Sequence, residues 1–264
     1  MTIAEALLVT VAGLLAGAVN TVAGGGTLIT YPVLLLCGLP PVSANITSAI
    51  GLAPGYAGGA YAYRRELGGQ RARQFALGPT AIVGGVAGAA LLLVTPPGSF
   101  QVAVPFLVLA SCLLLLAQPV LASAVARRTE QSRTEQSRTG QGQGSDRVTP
   151  LAHAGVFVAS VYGAYFSAGL GVLLLAVLGI VFGDGLQRLN GLKSALSLVI
   201  VLTAVVIYAA SGQASFGHTL LLLVASCLGG TAGGAFARRL DAEVLRRTVA
   251  ILGTVLAVVL FLKG

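Results

Sequence analysis

Asn20 and Thr21 stand just ahead of Gly24, Gly25 and Gly26, and Thr27 follows at once, in the stretch NTVAGGGTLITYPVLLLCGLPPVSAN. Asn45, Thr47 and Ser48 lie at its far end and just beyond it. A second group repeats the arrangement: Tyr162, Tyr165 and Ser167 precede Gly169 and Gly171, and Asn190, Lys193 and Ser194 come after. Amides, hydroxyls and an ammonium offer hydrogen-bond donors, so the chemistry they suit is holding the oxygens of a small anion. Catalytic signatures are missing: there is no HExxH, no GxSxG and no pair of carboxylates inside the apolar segments. The reading is therefore not an enzyme, and no cofactor is implied.

Lys193 is the residue whose setting decides most. Asn190 and Lys193 are three apart and share a helical face. A lysine within a membrane is costly unless it reaches the surface or meets an anion or acceptor. If its helix begins at depth, Lys193 points into a cavity; if the helix begins at the surface, Lys193 and Arg188 are rim charges.

The elements that must position these groups are broken helices. Three consecutive glycines unwind a helix, because glycine tolerates dihedrals that other residues avoid. In hydrocarbon such backbone persists only when buried in protein or lining a wet cavity. The N–H groups opening the next helix then favour an anion. The alternative is that the glycines only pack helices together. A phosphate loop of the Walker kind is excluded, since no Gly-Lys-Ser/Thr follows.

With 56% hydrophobic and 9% charged residues, the chain is expected to be an all-α, polytopic membrane protein. Apolar runs suit about 8 full spans, near 2–23, 42–63, 74–95, 101–125, 151–168, 191–211, 216–237 and 244–262, with short broken or re-entrant pieces at 27–39 and 170–182. The start, MTIAE, lacks a positive leader region, so the first segment is read as a permanent helix. Cys37, Cys112 and Cys227 are scattered in apolar segments without paired spacing, which supports neither a disulfide framework nor a metal site. His153 and His218 read as surface residues.

An ungapped shift of 145 residues lays Gly24 and Gly26 on Gly169 and Gly171, Asn45 on Asn190, Tyr63 on Tyr208, and Gly84, Gly85 and Gly88 on Gly229, Gly230 and Gly233. Two homologous membrane repeats follow, 1–125 and 150–264, joined by a disordered, polar linker at 126–149 that repeats TEQSR. The GG-x-x-G pairs are read as packing faces. Thirteen of the 16 basic residues fall in three places, 64–73, the linker and 238–247, which are expected to be cytoplasmic. The net charge of +8 thus reports topology and not a nucleic-acid partner. Matching loops of the two repeats fall on opposite sides, so the repeats are inverted.

The run GLLAGAVNTVAGGGTLITYPVLLLCGLPPVSANITSAI resembles the signature of the TauE/SafE sulfite-exporter-like permeases, and FARRLDAEVLRRTVAILG resembles their closing helix. The likeness covers 5–262 apart from the linker. It implies a bacterial inner-membrane carrier of sulfite, organosulfur anions or small carboxylates, with Gly24, Gly25, Gly26, Asn45, Thr47 and Ser48 as its first motif. In the second copy Leu170 separates Gly169 from Gly171, and Leu192-Lys193 replaces Thr47-Ser48. The expected partners are a small anion and the lipid bilayer, with the oligomeric state open and a homodimer included. A membrane receptor or assembly protein, in which the glycines only pack, is the reading from another class.

Overall fold

Prolines and glycines punctuate the helices. A computed structural model describes residues 1–22, 24–139, 148–236 and 242–263. The chain forms α1 (Ile3–Val22), α2 (Thr27–Leu36), α3 (Pro41–Gly51), α4 (Ala53–Ala62), α5 (Arg71–Val94) and α6 (Pro97–Thr139). After these come α7 (Pro150–Tyr165), α8 (Leu170–Val181), α9 (Leu186–Ser211), α10 (Phe216–Phe236) and α11 (Ala242–Lys263). Pro41, Pro97 and Pro150 each open a helix, where a missing N–H leaves no bond unmade. A reciprocal box starts α1: the Glu5 N–H donates to Thr2 Oγ1 (3.2 Å) and the Thr2 N–H to Glu5 Oε2 (2.8 Å).

Four helices, α1, α5, α6 and α9, are long and apolar enough to cross a membrane. Their outer faces expose Leu7, Val11, Val83, Phe106 and Val206, which lipid accommodates and water does not. This is an all-α membrane protein. The ten residues of α2 and twelve of α8 reach about 15–18 Å, roughly half the hydrocarbon thickness. Each lies back against the helix before it.

Two expectations need correction. The span expected at 42–63 is two helices, α3 and α4, divided at Leu52. Pro54 in the first turn of α4 has no N–H for the Ile50 carbonyl, the Gly55 N–H turns to the Leu52 carbonyl (3.0 Å), and the Gly51 carbonyl accepts from Ser226 Oγ at 2.6 Å. Of the disordered linker expected at 126–149, the residues up to Thr139 are helical and continue α6. Glu, Gln and Arg are good helix formers and simply extend a helix already nucleated in the membrane. Residues 140–147, the rest of that polar stretch except 148–149, lie outside the described ones, as do Arg238 and Arg239.

The packing has a paired character. α1 packs along α10, and α7 along α5. Both pairs run parallel: Gly17 abuts Ser226 while Met1 lies near Gly217, and Gly84 abuts Phe157 while Gly88 abuts Val161. A Cβ on Gly17, Gly88 or Gly229 would collide with the carbonyl of Ser226, Val161 or Leu14, so these backbones touch. By contrast α6 and α11 run antiparallel, with Phe106 against Phe261 (ring centroids 6.2 Å) and Gly253 against Cys112. The α3–α4 unit and α9 are antiparallel as well: Ser43 meets Gln213, past the end of α9, and Gly191, near its start, meets Glu66.

One end of the molecule therefore collects Arg64, Arg65, Arg73 and Arg188, and the other Met1, Ser43, Gln213 and Gly217. His218 is buried rather than on the surface, because α3 covers its turn; Ser215 Oγ holds its Nδ1 at 2.7 Å. His153 is half-buried and bonds Thr80 (2.7 Å).

Candidate functional site

Both glycine breaks reverse the chain through left-handed backbone. Gly24 has φ +78° and Gly169 has φ +79°, and they stand at equivalent places, just before α2 and α8. The breaks also meet. A Cβ on Gly24 would lie 3.3 Å from the Gly171 Cα, so the reversal after α1 sits directly on the first turn of α8.

Beside that contact is a cavity lined by Asn20, Gly24, Gly55, Tyr56, Gly59, Gly171, Lys193, Ser194 and Ser197. Its volume is about 20 Å³, enough for a water molecule. Lys193 is 7% exposed and has no hydrogen-bond or ion-pair partner among the described residues. Asn20 is buried with both amide atoms unpartnered, and Ser197 Oγ is likewise buried and unpartnered. The pocket thus holds an ammonium together with an amide and a hydroxyl that have no protein partner.

Of the residues singled out by sequence, Asn20, Gly24, Gly171 and Lys193 line this cavity. Two others, Asn45 and Tyr162, are committed to the backbone of the second break, together with Tyr56 and Tyr208. The Tyr208 hydroxyl donates to the Ala164 carbonyl, Asn45 Nδ2 to Tyr165 O (2.9 Å), the Tyr56 hydroxyl to Ser167 O (3.4 Å) and the Tyr162 hydroxyl to Ala168 O (2.9 Å). Carbonyls that a continuous helix would satisfy are thus taken by side chains from α3, α4, α7 and α9.

The remaining hydroxyls hold the elements together. Thr27 and Ser167 bridge the two breaks at 2.9 Å, Thr30 bonds Ser48, and Thr47 Oγ1 accepts the Ser215 N–H at 3.0 Å. Tyr165 packs its ring against Phe100, centroids 5.7 Å apart. Gly25 faces Leu115, and a side chain at Gly26 would strike the Ala16 carbonyl. Asn190 is half-buried, away from the cavity, and the side chain of Thr21 is outside what the structure describes.

Gly55, Tyr56, Gly59 and Ser197 were not singled out by sequence. The signal for the last was present, since 190, 193, 194 and 197 form one polar stripe on a helix. For α4 the spacing of Gly55 and Gly59 marks a bare face, but nothing in sequence says what it faces.

At the basic end of the molecule lies a polar cluster, none of whose members lines the cavity. Buried Arg73 pairs with Asp184 and stacks over Phe182 (4.5 Å to the ring centroid), and Arg188 lies 3.5 Å from the same carboxylate. Gln70 Nε2 donates to the Arg188 carbonyl at 2.9 Å, and Thr129 Oγ1 to the Asp184 carbonyl at 2.8 Å. These contacts tie α5 and α6 to the turn between α8 and α9.

Comparison with known proteins agrees with this architecture. A protein from Sinorhizobium sp. described as "Probable membrane transporter protein ORF9" is 23% identical over 250 residues, covering 94% of this chain and 89% of the relative. No solved structure matches. A family model described as "Sulfite exporter TauE/SafE" matches residues 9–260, almost the whole chain, and the protein accordingly belongs to that family of membrane transporters.

Proposed function

We propose that the protein carries small anions, sulfite or organosulfonates, across the bacterial inner membrane by alternating access between two inverted repeats, 1–125 and 150–264. The observation that carries this reading is the unpartnered Lys193 ammonium beside idle donors at the meeting point of two broken helices. Antiparallel pairing of α6 with α11, and of α3–α4 with α9, supports the inverted relation, because those are the elements a two-fold axis in the membrane plane would exchange.

The basic end faces the cytoplasm in this reading. A cavity of about 20 Å³ must widen to admit even a four-atom oxyanion, so loading requires the helices around it to part. Export needs no coupling ion, since a monoanion leaving an inside-negative cell gains ~2.3 kcal/mol per 100 mV.

Flux of sulfite from proteoliposomes under an imposed potential tests the proposal. Transport that rises with inside-negative potential is expected. Sulfite flux no greater than in empty liposomes, with small carboxylates moving instead, would replace sulfur anions by carboxylates as the cargo.

A further inference from the structure

The cavity has a charge inventory that can be read completely. Lys193 is its one cation among the described residues, and its other lining residues are Asn20, Tyr56, two serines and glycines, all neutral. The nearby arginines are spoken for: Arg73 and Arg188 both face the Asp184 carboxylate at the basic end. A buried charge is tolerable when matched and costly when left over. One ammonium surrounded by neutral donors therefore matches one negative charge and leaves any second one uncompensated.

Among the described residues, the positions equivalent to the cavity lining carry no second cation. Shifted by 145 residues, Lys193 corresponds to Ser48, which is buried and bonded to Thr30. Ser197 corresponds to Leu52, Tyr56 to Val201 and Gly59 to Ala204, all buried apolar residues packed in the core. Where the duplicated cavity would lie, side chains fill the space. The architecture is paired, but among the described residues the lining of this cavity is not duplicated.

We infer that the site takes one monovalent anion at a time and selects against dianions, with Lys193 setting the charge limit; this rests on the anion-site reading above. Bisulfite, alkyl sulfonates and similar monoanions fit, with oxygens toward the Lys193 ammonium, Ser197 Oγ and the Asn20 amide. Sulfate, thiosulfate and fully deprotonated sulfite do not. For sulfite, whose last proton titrates near neutrality, the bound species is the protonated one.

The test is ligand binding to the purified full-length protein in detergent at constant ionic strength, read by thermal shift and calorimetry. Methanesulfonate is expected to bind at least about tenfold more tightly than sulfate or thiosulfate, a difference of ~1.4 kcal/mol or more. Between pH 6 and pH 8 the affinity for total sulfite is expected to fall relative to that for methanesulfonate, which stays a monoanion throughout. Lys193→Gln is expected to abolish the preference. Should that variant fail to fold, the wild-type ratio across pH decides the matter alone.

Dianions bound as tightly as monoanions, or a sulfite-to-methanesulfonate ratio flat with pH, overturns the charge limit and leaves the anion site standing. A folded Lys193→Gln protein that keeps the preference removes Lys193 from the role. If none of these anions binds the folded wild-type protein, the anion-site reading fails and the inference falls with it.

Discussion

Gly24 rests on Gly171: the reversal that ends α1 touches the first turn of α8, with no side chain between them. Bringing two interrupted helices into backbone contact places the polar groups of both breaks around one spot in an otherwise apolar interior.

Gly24→Ala is therefore expected to do two things. Left-handed backbone at φ +78° costs an L-residue about 1–2 kcal/mol, and the added methyl presses on Gly171. Gly38 is the control, since it shares the strain at φ +81° but has open space around it. Both variants should melt earlier in detergent; only Gly24→Ala should also lose anion flux in proteoliposomes.

Lys193→Met is expected to stabilise the empty protein. Its ammonium is buried without a partner, which costs free energy that a methionine of similar shape does not. Thermal unfolding without ligand should shift upward, and the ligand-induced shift should vanish.

Tyr162→Phe separates support from binding. Its hydroxyl holds the Ala168 carbonyl at 2.9 Å, beside Ser111 Oγ at 2.7 Å, and does not line the cavity. Ser111 Oγ also donates to that carbonyl, at 3.1 Å, so losing one of its two bonds should cost about 0.5–1.5 kcal/mol, seen as a lower melting temperature, with anion affinity unchanged.

Asp184→Asn removes the carboxylate that Arg73 is buried against. Breaking such a pair typically costs about 3–5 kcal/mol, whereas replacing both partners with apolar residues recovers most of it. The double variant Arg73→Leu with Asp184→Leu should thus melt above Asp184→Asn, which denaturation of the three proteins side by side would check.

Sidedness can be read by labelling. With Cys37, Cys112 and Cys227 replaced by alanine, Gln213→Cys should react with an impermeant thiol reagent added outside intact cells. Arg65→Cys should react only after the membrane is opened.

The sequence carried the helical class and the two breaks, because composition and glycine clusters act locally and need no knowledge of neighbours; it left Lys193 open between a cavity and a rim. Gly24 and Gly169 share a conformation, as the offset between the repeats implies. It could not separate donors that face the cavity from donors that repair it. Asn45 and Tyr162 have the same chemistry as Asn20, yet they bond carbonyls of the second break while Asn20 is left unpartnered. That distinction depends on which side chain reaches the freed carbonyls first, a matter of packing between helices far apart in the chain. Leu52 shows the same limit from another side: Pro54 was visible, but a proline can bend a span or divide it, and the Ser226 hydroxyl from α10 makes division tolerable here.

The division at Leu52 gives the two pieces of that span unequal freedom. α3 is stitched in place through Ser43 and Thr47 to the turn between α9 and α10, Asn45 to the second break and Ser48 to α2, whereas α4 presents Gly58 and Gly59 to open space. Its opposite number, α9, runs unbroken for 26 residues. On the export reading proposed above, loading from the cytoplasm then resembles a door hung on one jamb: the short glycine-faced helix is the piece with room to shift at its proline, while α3 stays latched.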